Sequence, residues 1–231
     1  MQIKFSIILP CYNEYGNLKL LISEILNIFK KKSFEILIVD DNSSDQTTAR
    51  LKNYFGKNSK IKYILRKKNR SLGLSIKDGF IASKGKVVVV MDADFNHKPT
   101  DLKKMLHLYE RNSFDMICGS RFLKGGFSST TFRHFTSLIF NHFISFIIKG
   151  KITDNLSGFF IIKKNLISKM LNKIFYGYGD YYIRLLFYLQ KSKISIKEIP
   201  VKYGVRKYGV SKSRLVKMFL LYTAETLKLL K

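Results

Sequence analysis

Short runs of apolar and β-branched residues alternate with helical patterns in the first half of the chain, and this alternation most constrains the fold. The runs predict strands buried on both faces, at residues 3–9, 34–39, 61–65 and 87–91. The helical patterns between them cover residues 17–29, 45–54 and 74–83. This order favours an α/β fold, in which a mainly parallel sheet carries helices on both faces.

The second half of the chain is less regular. Strands are predicted at residues 114–119 and 158–162, and an edge strand at 194–199 ends before Pro200. Predicted helices cover residues 132–148, 180–190 and 213–230. No repeat or clear linker divides the chain. We therefore expect one catalytic domain over residues 1–212, followed by an amphipathic C-terminal helix over 213–231.

The charge is strongly basic, with 42 Lys and Arg against 16 Asp and Glu. Such an excess suits nucleic acid, an anionic membrane face or phosphorylated substrates, although AT-rich coding would also enrich lysine. No helix-turn-helix, zinc-finger or RRM pattern is visible, so we expect no nucleic-acid partner. The two cysteines lie far apart in the sequence, which favours a reducing compartment. The sequence contains no apolar run of about 18 residues, so we predict no membrane-spanning helix.

Acidic residues follow three of the predicted strands. Glu14 comes after the first strand, Asp40 and Asp41 after the second, and Asp92 and Asp94 after the fourth. Ligands of open α/β sheets bind beyond the carboxyl ends of the strands, so we expect the four aspartates to converge on one rim. Helix capping is the alternative explanation, and it accounts readily only for Asp45.

The pair Asp92 and Asp94 can hold Mg²⁺ or Mn²⁺, because both ions prefer oxygen ligands and accept substrate phosphates as further ligands. Asn96 can add another oxygen. A divalent ion neutralises the charge that develops on a departing nucleotide diphosphate. Asp40 and Asp41 can accept hydrogen bonds from a base or ribose. The glycine-rich motifs of dinucleotide-binding and P-loop proteins are absent, which disfavours both of those classes.

Three motifs carry a resemblance to a known family: residues 8–14 (ILPCYNE), 39–47 (VDDNSSDQT) and 91–94 (MDAD). They resemble the family 2 (GT-A, Rossmann-like) glycosyltransferases and, more narrowly, the dolichyl-phosphate mannose synthases and related polyprenyl-phosphate glycosyltransferases. Further stretches match in the same order, at residues 72–85, 97–99, 119–122, 154–159 and 206–212. The resemblance covers nearly the whole chain.

The resemblance implies a role for each matching residue. Residues implied to bind the nucleotide-sugar are Pro10, Tyr12, Glu14, Val39, Asp41, Asp92, Ala93, Asp94, Arg206 and Lys212. Those implied to bind the acceptor phosphate are Arg121, Arg133 and Ser157. The implied metal ligands are Asp92, Asp94 and Asn96. The implied catalytic residues are Asp92, Asp94, Arg121 and Arg206.

The reaction implied by the family is the inverting transfer of a hexose to a polyprenyl or dolichyl monophosphate. GDP-mannose is the first choice of donor, because the narrower family resemblance implies it, and UDP-glucose is the second. Departures from the family pattern at residues 71–74, Asn96 and 177–182 leave the donor sugar open. Since the acceptor phosphate is already an anion, positioning and charge neutralisation would supply most of the catalysis. A nucleotidyltransferase and an inactive scaffold are the remaining alternatives.

A lipid acceptor implies contact with a bilayer. The helices predicted at 132–148 and 213–230 resemble interfacial amphipathic helices, although packing of their apolar faces on the domain is the alternative. We expect a cytoplasmic protein that lies peripherally on the anionic cytoplasmic face of a membrane. Related enzymes often carry extra membrane helices, and the chain ends at Lys231, so a membrane partner protein is a further expectation. We interpret all four histidines as surface or interface residues.

Overall fold

The computed structural model describes residues 4–127, 131–192, 194–204, 207–209 and 215–230, with the side chains of 131–134 and 215–217 outside that description. A single sheet organises these residues. Its strands are β1 (Phe5–Cys11), β2 (Phe34–Asp40), β3 (Ile61–Leu65), β4 (Val87–Val90), β5 (Met116–Ser120), β6 (Phe160–Lys163) and β7 (Ile196–Pro200). Their order across the sheet is β3-β2-β1-β4-β6-β5-β7.

The sheet is mainly parallel, which confirms the fold class predicted from the sequence. Only β6 runs antiparallel, and it lies between β4 and β5. β7 pairs with β5 and forms one edge of the sheet. This position agrees with the edge strand predicted from Pro200, because proline cannot donate a hydrogen bond to a neighbouring strand. Because β6 is reversed, its N-terminal end lies beside the carboxyl ends of its neighbours. Residues 154–159 are thereby brought to the same edge as the acidic strand ends.

Helices cover both faces of the sheet. They are α1 (Tyr15–Ile28), α2 (Thr47–Phe55), α3 (Leu72–Ala82), α4 (Pro99–Arg111), α5 (Thr131–Ile148), α6 (Leu171–Ile174), α7 (Asp180–Gln190) and α8 (Leu215–Lys228). A single 3₁₀ turn, Lys164–Leu166, precedes α6. The sequence pattern predicted neither that turn nor α6, because elements this short carry too few residues to show a period.

The apolar faces of these helices create two main cores. One core lies between the sheet and α1, α2 and α4, and the other between the sheet and α3, α6 and α7. Strands buried on both faces explain why their sequences are continuously apolar. A third, smaller cluster joins α5, α7 and α8 through Phe140, Ile183 and Tyr222. In the described residues, no helix is both long enough and apolar enough to cross a bilayer.

Candidate active site

A pocket of about 500 Å³ opens at the carboxyl ends of β1, β2 and β4. β1 and β4 are neighbours although they are not consecutive in the chain, so the pocket lies at a switch point in strand order, where α/β proteins bind ligands. The lining residues are Pro10, Cys11, Tyr12, Glu14, Asp41, Arg70, Ser71, Leu72, Ser75, Asp92, Ala93, Asp94, Asn96 and Tyr178. Seven of the residues implied to bind the nucleotide-sugar therefore share one cavity with Asn96, the third implied metal ligand.

The loop after β4 presents Asp92 and Asp94 to this pocket. The backbone N–H of Asn96 donates to Asp94 Oδ1 at 3.1 Å, and the Asn96 side-chain amide donates to Oδ2 at 3.1 Å. Phe95 adopts a left-handed backbone with φ of 70°, which turns the loop sharply after the second aspartate. Asp94 is buried, whereas 42% of the Asp92 side chain is exposed. The two carboxylates therefore meet the pocket at different depths.

His97 supports this loop from beneath, and the surface location that we expected for it is wrong. Its ring is completely buried and stacks on Phe159 at 4.5 Å between ring centroids. Nδ1 accepts a hydrogen bond from the Asp92 backbone N–H at 2.8 Å, and Nε2 lies 3.1 Å from the Tyr203 hydroxyl. Burial lowers the pKa of His97 to about 4, so the ring is neutral at pH 7. A neutral ring can accept at Nδ1, as the contact with Asp92 requires.

The other side of the pocket carries the residues expected to meet the base and ribose. The Arg70 guanidinium lies 3.7 Å from the centre of the Tyr12 ring. Asp41 is held by the Arg66 guanidinium and by the backbone N–H of Ser71, which donates at 2.7 Å. Asp41 therefore links the end of β2 to the start of α3.

Val39 lies in the same strand, but its side chain is fully buried in the core between the sheet and α3. Only its backbone is placed to meet a nucleotide. The continuous apolar run of this strand agrees with that burial, because strands buried on both faces have apolar residues at every position.

Asp40 does not join the rim, which corrects the expectation that four carboxylates converge. Its Oδ2 accepts hydrogen bonds from the Thr48 hydroxyl at 2.6 Å and the Thr48 backbone N–H at 3.2 Å, and its Oδ1 accepts from Ser43 N–H at 2.8 Å. These contacts satisfy donors at the N-terminus of α2. The capping explanation therefore accounts for Asp40 as well as for Asp45, whose Oδ1 accepts from the Thr47 N–H.

Arg121 and Ser157 lie beside the reversed strand β6 and do not line the pocket. Arg121 donates from Nε and Nη2 to the two oxygens of Asp154, each at 2.7 Å. Burial alone would lower the pKa of Arg121, but the Asp154 carboxylate outweighs burial and raises it, so the guanidinium stays charged. The Ser157 carbonyl accepts from the Tyr203 hydroxyl at 2.9 Å, and this hydroxyl also contacts His97. A polar network thus joins Ser157 to Asp92, and the Arg121 guanidinium lies 4.7 Å from the centre of the Tyr203 ring in that network.

Three of the residues implied by the family resemblance, Arg206, Lys212 and the Arg133 side chain, lie outside the described residues. The neighbouring residues 207–209 dock beside the site. The Asn17 side chain donates to the Tyr208 carbonyl and accepts from the Tyr208 N–H, both at 3.0 Å. Asn17 also donates to Glu14 Oε2 at 2.7 Å, and the Lys207 ammonium lies 4.4 Å from the centre of the Phe95 ring. Asn17 therefore joins this segment to the pocket wall.

The oxygen ligands suit a hard divalent cation that is shared with a substrate. Among the residues that the structure describes, no group of three or more His, Cys, Asp and Glu side chains is arranged around one metal position. Asp92 and Asp94 offer two carboxylates at one side of an open pocket, with Asn96 beside them. Mg²⁺ in particular binds in this way, through one or two carboxylates, substrate phosphates and water. The residues present thus fit the expected ion.

The glycosyl transferase family 2 model matches residues 6–171, a stretch that includes the whole Asp92–Asn96 loop. The chain belongs to glycosyltransferase family 2. This family 2 glycosyltransferase is similar to dolichol-phosphate mannosyltransferase of Pyrococcus furiosus, at 33% identity over 90% of this chain and 59% of that protein. The chain therefore spans less than two thirds of the archaeal relative.

Two further relatives are similar over most of this chain. Dolichol-phosphate mannosyltransferase of Saccharomyces cerevisiae is 27% identical over 92% of this chain and 82% of its own length. Dolichyl-phosphate beta-glucosyltransferase of Dictyostelium discoideum is 27% identical over 87% of this chain and 67% of its own length. The similarity to dolichyl-phosphate mannosyltransferases that the sequence motifs indicate is confirmed.

Solved structures of glucosyl-3-phosphoglycerate synthase from Mycobacterium tuberculosis share the GT-A fold. One contains Mn²⁺, UDP and phosphoglyceric acid, and superposes with a TM-score of 0.73 at 17% identity, covering 98% of this chain and 78% of that chain. Another contains Mg²⁺ and UDP. At this identity the likeness shows the fold alone.

Several pocket residues were not predicted from the sequence: Arg70, Ser71, Ser75 and Tyr178. Ser71 caps the N-terminus of α3 and Ser75 lies in its first turn, and the matching stretch at 72–85 pointed to that helix without naming Ser75. Tyr178 lies in the segment 177–182, whose match to the family is loose. The tertiary approach of α3 to that segment brings these residues together, and no local pattern encodes it.

Proposed function

We propose that this enzyme transfers a hexose from a nucleotide diphosphate sugar to the phosphate of a polyprenyl or dolichyl monophosphate, with inversion at the anomeric carbon. GDP-mannose is the proposed donor. The single observation that supports the proposal most is the placement of Asp92 and Asp94 in one pocket with Pro10, Tyr12 and Asp41. Similarity to two dolichol-phosphate mannosyltransferases supports the choice of sugar and acceptor.

The proposed reaction breaks the bond between the anomeric carbon and the donor diphosphate and forms a bond to the acceptor phosphate oxygen. A bound Mg²⁺ or Mn²⁺ would neutralise the diphosphate as it leaves. Asp92 and Asp94 would hold that ion, and the His97 contact would keep the Asp92 backbone in place. Pro10, Tyr12, Glu14 and Val39 would position the nucleotide, with the Val39 contact made by its backbone. Because the attacking phosphate is an anion, no side chain needs to remove a proton from it.

We propose that the acceptor phosphate binds beside β6, where Arg121 and Ser157 lie. Arg121 is held in a fixed orientation by Asp154, and Ser157 lies in the same network. We propose that these two residues, with Arg133, bind the acceptor phosphate, and that Arg206 and Lys212 contact the donor diphosphate. The Arg206→Ala variant tests the last part. It should raise the donor KM or lower the transfer rate, and unchanged values of both would contradict the assignment.

Membrane contact is proposed through α5 and α8, which expose several large apolar side chains. On α5 these are Phe135, Ile139, Phe143 and Phe146, and on α8 they are Phe219, Leu220, Leu221 and Leu227. Phe140 and Phe219 pack together with 4.7 Å between ring centroids, so the two helices form one surface. Such a surface, in a protein of formal charge +26, suits peripheral binding to an anionic cytoplasmic membrane face, alone or with a membrane partner protein.

A donor panel tests the proposed reaction. Purified protein with Mn²⁺ and a short polyprenyl phosphate is incubated with labelled GDP-mannose, UDP-glucose and other nucleotide-sugars, and lipid-linked product is counted. We expect GDP-mannose to give the highest kcat/KM, with loss of product when EDTA removes the metal. A preference for UDP-glucose, the donor class suggested by the Dictyostelium relative, would replace the mannose assignment. No product from any donor would overturn the proposal.

A further inference from the structure

The loop between α6 and α7, residues 176–180, forms one wall of the pocket. Tyr178 is its lining residue. α3 holds this loop on one side. The Ser71 hydroxyl donates to the Gly177 carbonyl at 2.6 Å, and the Gly73 N–H donates to the same carbonyl at 3.1 Å. A Cβ at Gly73 would lie 2.4 Å from the Tyr176 carbonyl oxygen, so glycine permits this close approach.

α8 holds the same loop on the opposite side. Glu225 is buried, and its Oε1 accepts a hydrogen bond from the Tyr176 hydroxyl at 2.9 Å. One turn earlier on α8, the Tyr222 hydroxyl lies against Gly179, where an added Cβ would come within 2.0 Å of it. Two residues of α8 therefore contact two different parts of the pocket loop.

Arg184 connects these contacts. Its fully buried guanidinium donates to the Ile174 carbonyl at 2.8 Å, pairs with Asp180, and reaches Glu225 at 2.9 Å. Asp180 in turn accepts from the Tyr178 backbone N–H at 2.6 Å. A charged group buried in this way is stable only with its partners in place, so the cluster couples the loop to α8.

The loop that α8 supports reaches the same cavity as the loop after β4. Tyr178 lines the pocket together with Asp92, Asp94 and Asn96. The contacts that α8 makes with residues 176–180 therefore bear on one wall of the proposed transfer site.

We infer that α8 is part of the transfer site and that Glu225 is a positioning residue that holds Tyr178 in the pocket wall. This inference rests on the proposed function above. The two faces of α8 then have separate tasks. The face with Tyr222 and Glu225 supports the loop, and the face with Leu220, which is 64% exposed, remains available for a bilayer.

Variants on each face of α8 distinguish the two proposed roles. Glu225→Ala should lower kcat about tenfold or more, because misplaced positioning groups cost rate, while the affinity for GDP with Mn²⁺ stays within about threefold. Glu225→Gln keeps an acceptor for the Tyr176 hydroxyl and should recover much of the rate. Leu220→Ser, the matched control, should weaken binding to vesicles of phosphatidylcholine and phosphatidylserine, and leave kcat with a short water-soluble polyprenyl phosphate unchanged.

Hydrogen exchange gives a second measurement that does not need turnover. The amides of residues 177–180 should exchange about tenfold faster in Glu225→Ala and at the wild-type rate in Leu220→Ser. Wild-type exchange or wild-type kcat in Glu225→Ala would overturn the inference. If the wild-type protein transfers no sugar, the proposed function fails while the exchange rates still decide the role of Glu225. If Glu225→Ala does not fold, Tyr176→Phe replaces it, because this variant removes only the hydroxyl that donates to Glu225. The same changes in kcat and in the exchange of residues 177–180 are then expected, and wild-type values of either would overturn the inference.

Discussion

Two pairs of aspartates follow strands at the same edge of the sheet, yet they face different surroundings. Asp40 ends β2 and its oxygens accept from Ser43 and Thr48, whereas Asp41 lines the pocket while it pairs with Arg66 and accepts from Ser71. Asp92 and Asp94 come after β4, and both line the pocket. The position of an acid relative to a strand therefore predicts the edge of the sheet, but not the direction of the side chain.

Alternation explains the first pair. Adjacent residues of an extended chain point to opposite faces, so Asp40 turns toward α2 while Asp41 turns toward α3. The second pair lies in an irregular loop, where the left-handed backbone of Phe95 and the hydrogen bonds from Asn96 to Asp94 set its shape. Variants at each pair test whether the structural contrast is also a functional one.

The largest effect is expected at the second pair. Asp92→Asn or Asp94→Asn should lower transfer by about 10³-fold or more, because the proposed metal loses an anionic ligand. The measurement is transfer of labelled sugar at saturating Mn²⁺, with a thermal melt to show that the fold persists; Asp92→Ala and Asp94→Ala should abolish transfer. Near-normal turnover in any of these variants would remove the distinction between the pairs.

A large effect on stability is expected at Asp41. Asp41→Asn should destabilise the fold by about 2–3 kcal/mol, because the buried Arg66 guanidinium loses one of two carboxylate partners. Urea unfolding followed by circular dichroism measures the change. Asp78→Asn removes the other, more exposed partner and should cost less. If the two variants cost the same, burial does not decide the strength of these pairs.

A smaller effect on rate is expected at His97. His97→Phe keeps a flat ring against Phe159 but removes the acceptor for the Asp92 N–H, so kcat should fall about tenfold. His107→Phe is the control, because His107 is an exposed residue of α4. An unchanged kcat in His97→Phe would show that Asp92 holds its position without this hydrogen bond.

The smallest effect is expected at Asp40. Asp40→Ala should cost about 1–2 kcal/mol of stability through the lost contacts with the start of α2, and transfer should stay within about threefold of wild type. Unfolding and transfer measured on the same preparation separate the two outcomes. A loss of transfer as large as that of Asp92→Asn would restore the idea of a four-carboxylate rim.

The sequence predicted the sheet well, because four buried strands in the first half have continuous apolar runs. It also predicted that Pro10, Tyr12, Asp41, Asp92 and Asp94 would share a site. It placed His97 wrongly, because a histidine between Asn96 and Lys98 shows no local sign of burial. Its partners Phe159 and Tyr203 lie far along the chain, and only tertiary packing brings them to the ring. Tyr178 was missed for the same reason.

The reversed direction of β6 has a consequence for how such enzymes can diversify. Chain segments that leave β1, β2 and β4 build the pocket that is assigned to the donor, whereas Asp154 and Ser157 arrive at the edge just before β6 begins. The two substrates would thus be handled by different stretches of chain. Under the proposed assignments, a change of acceptor would require substitutions early in residues 149–159, because Phe159 and the Ser157 carbonyl also support His97 and thereby the Asp92 loop. The acceptor segment can thus diversify only where it does not carry the ion site.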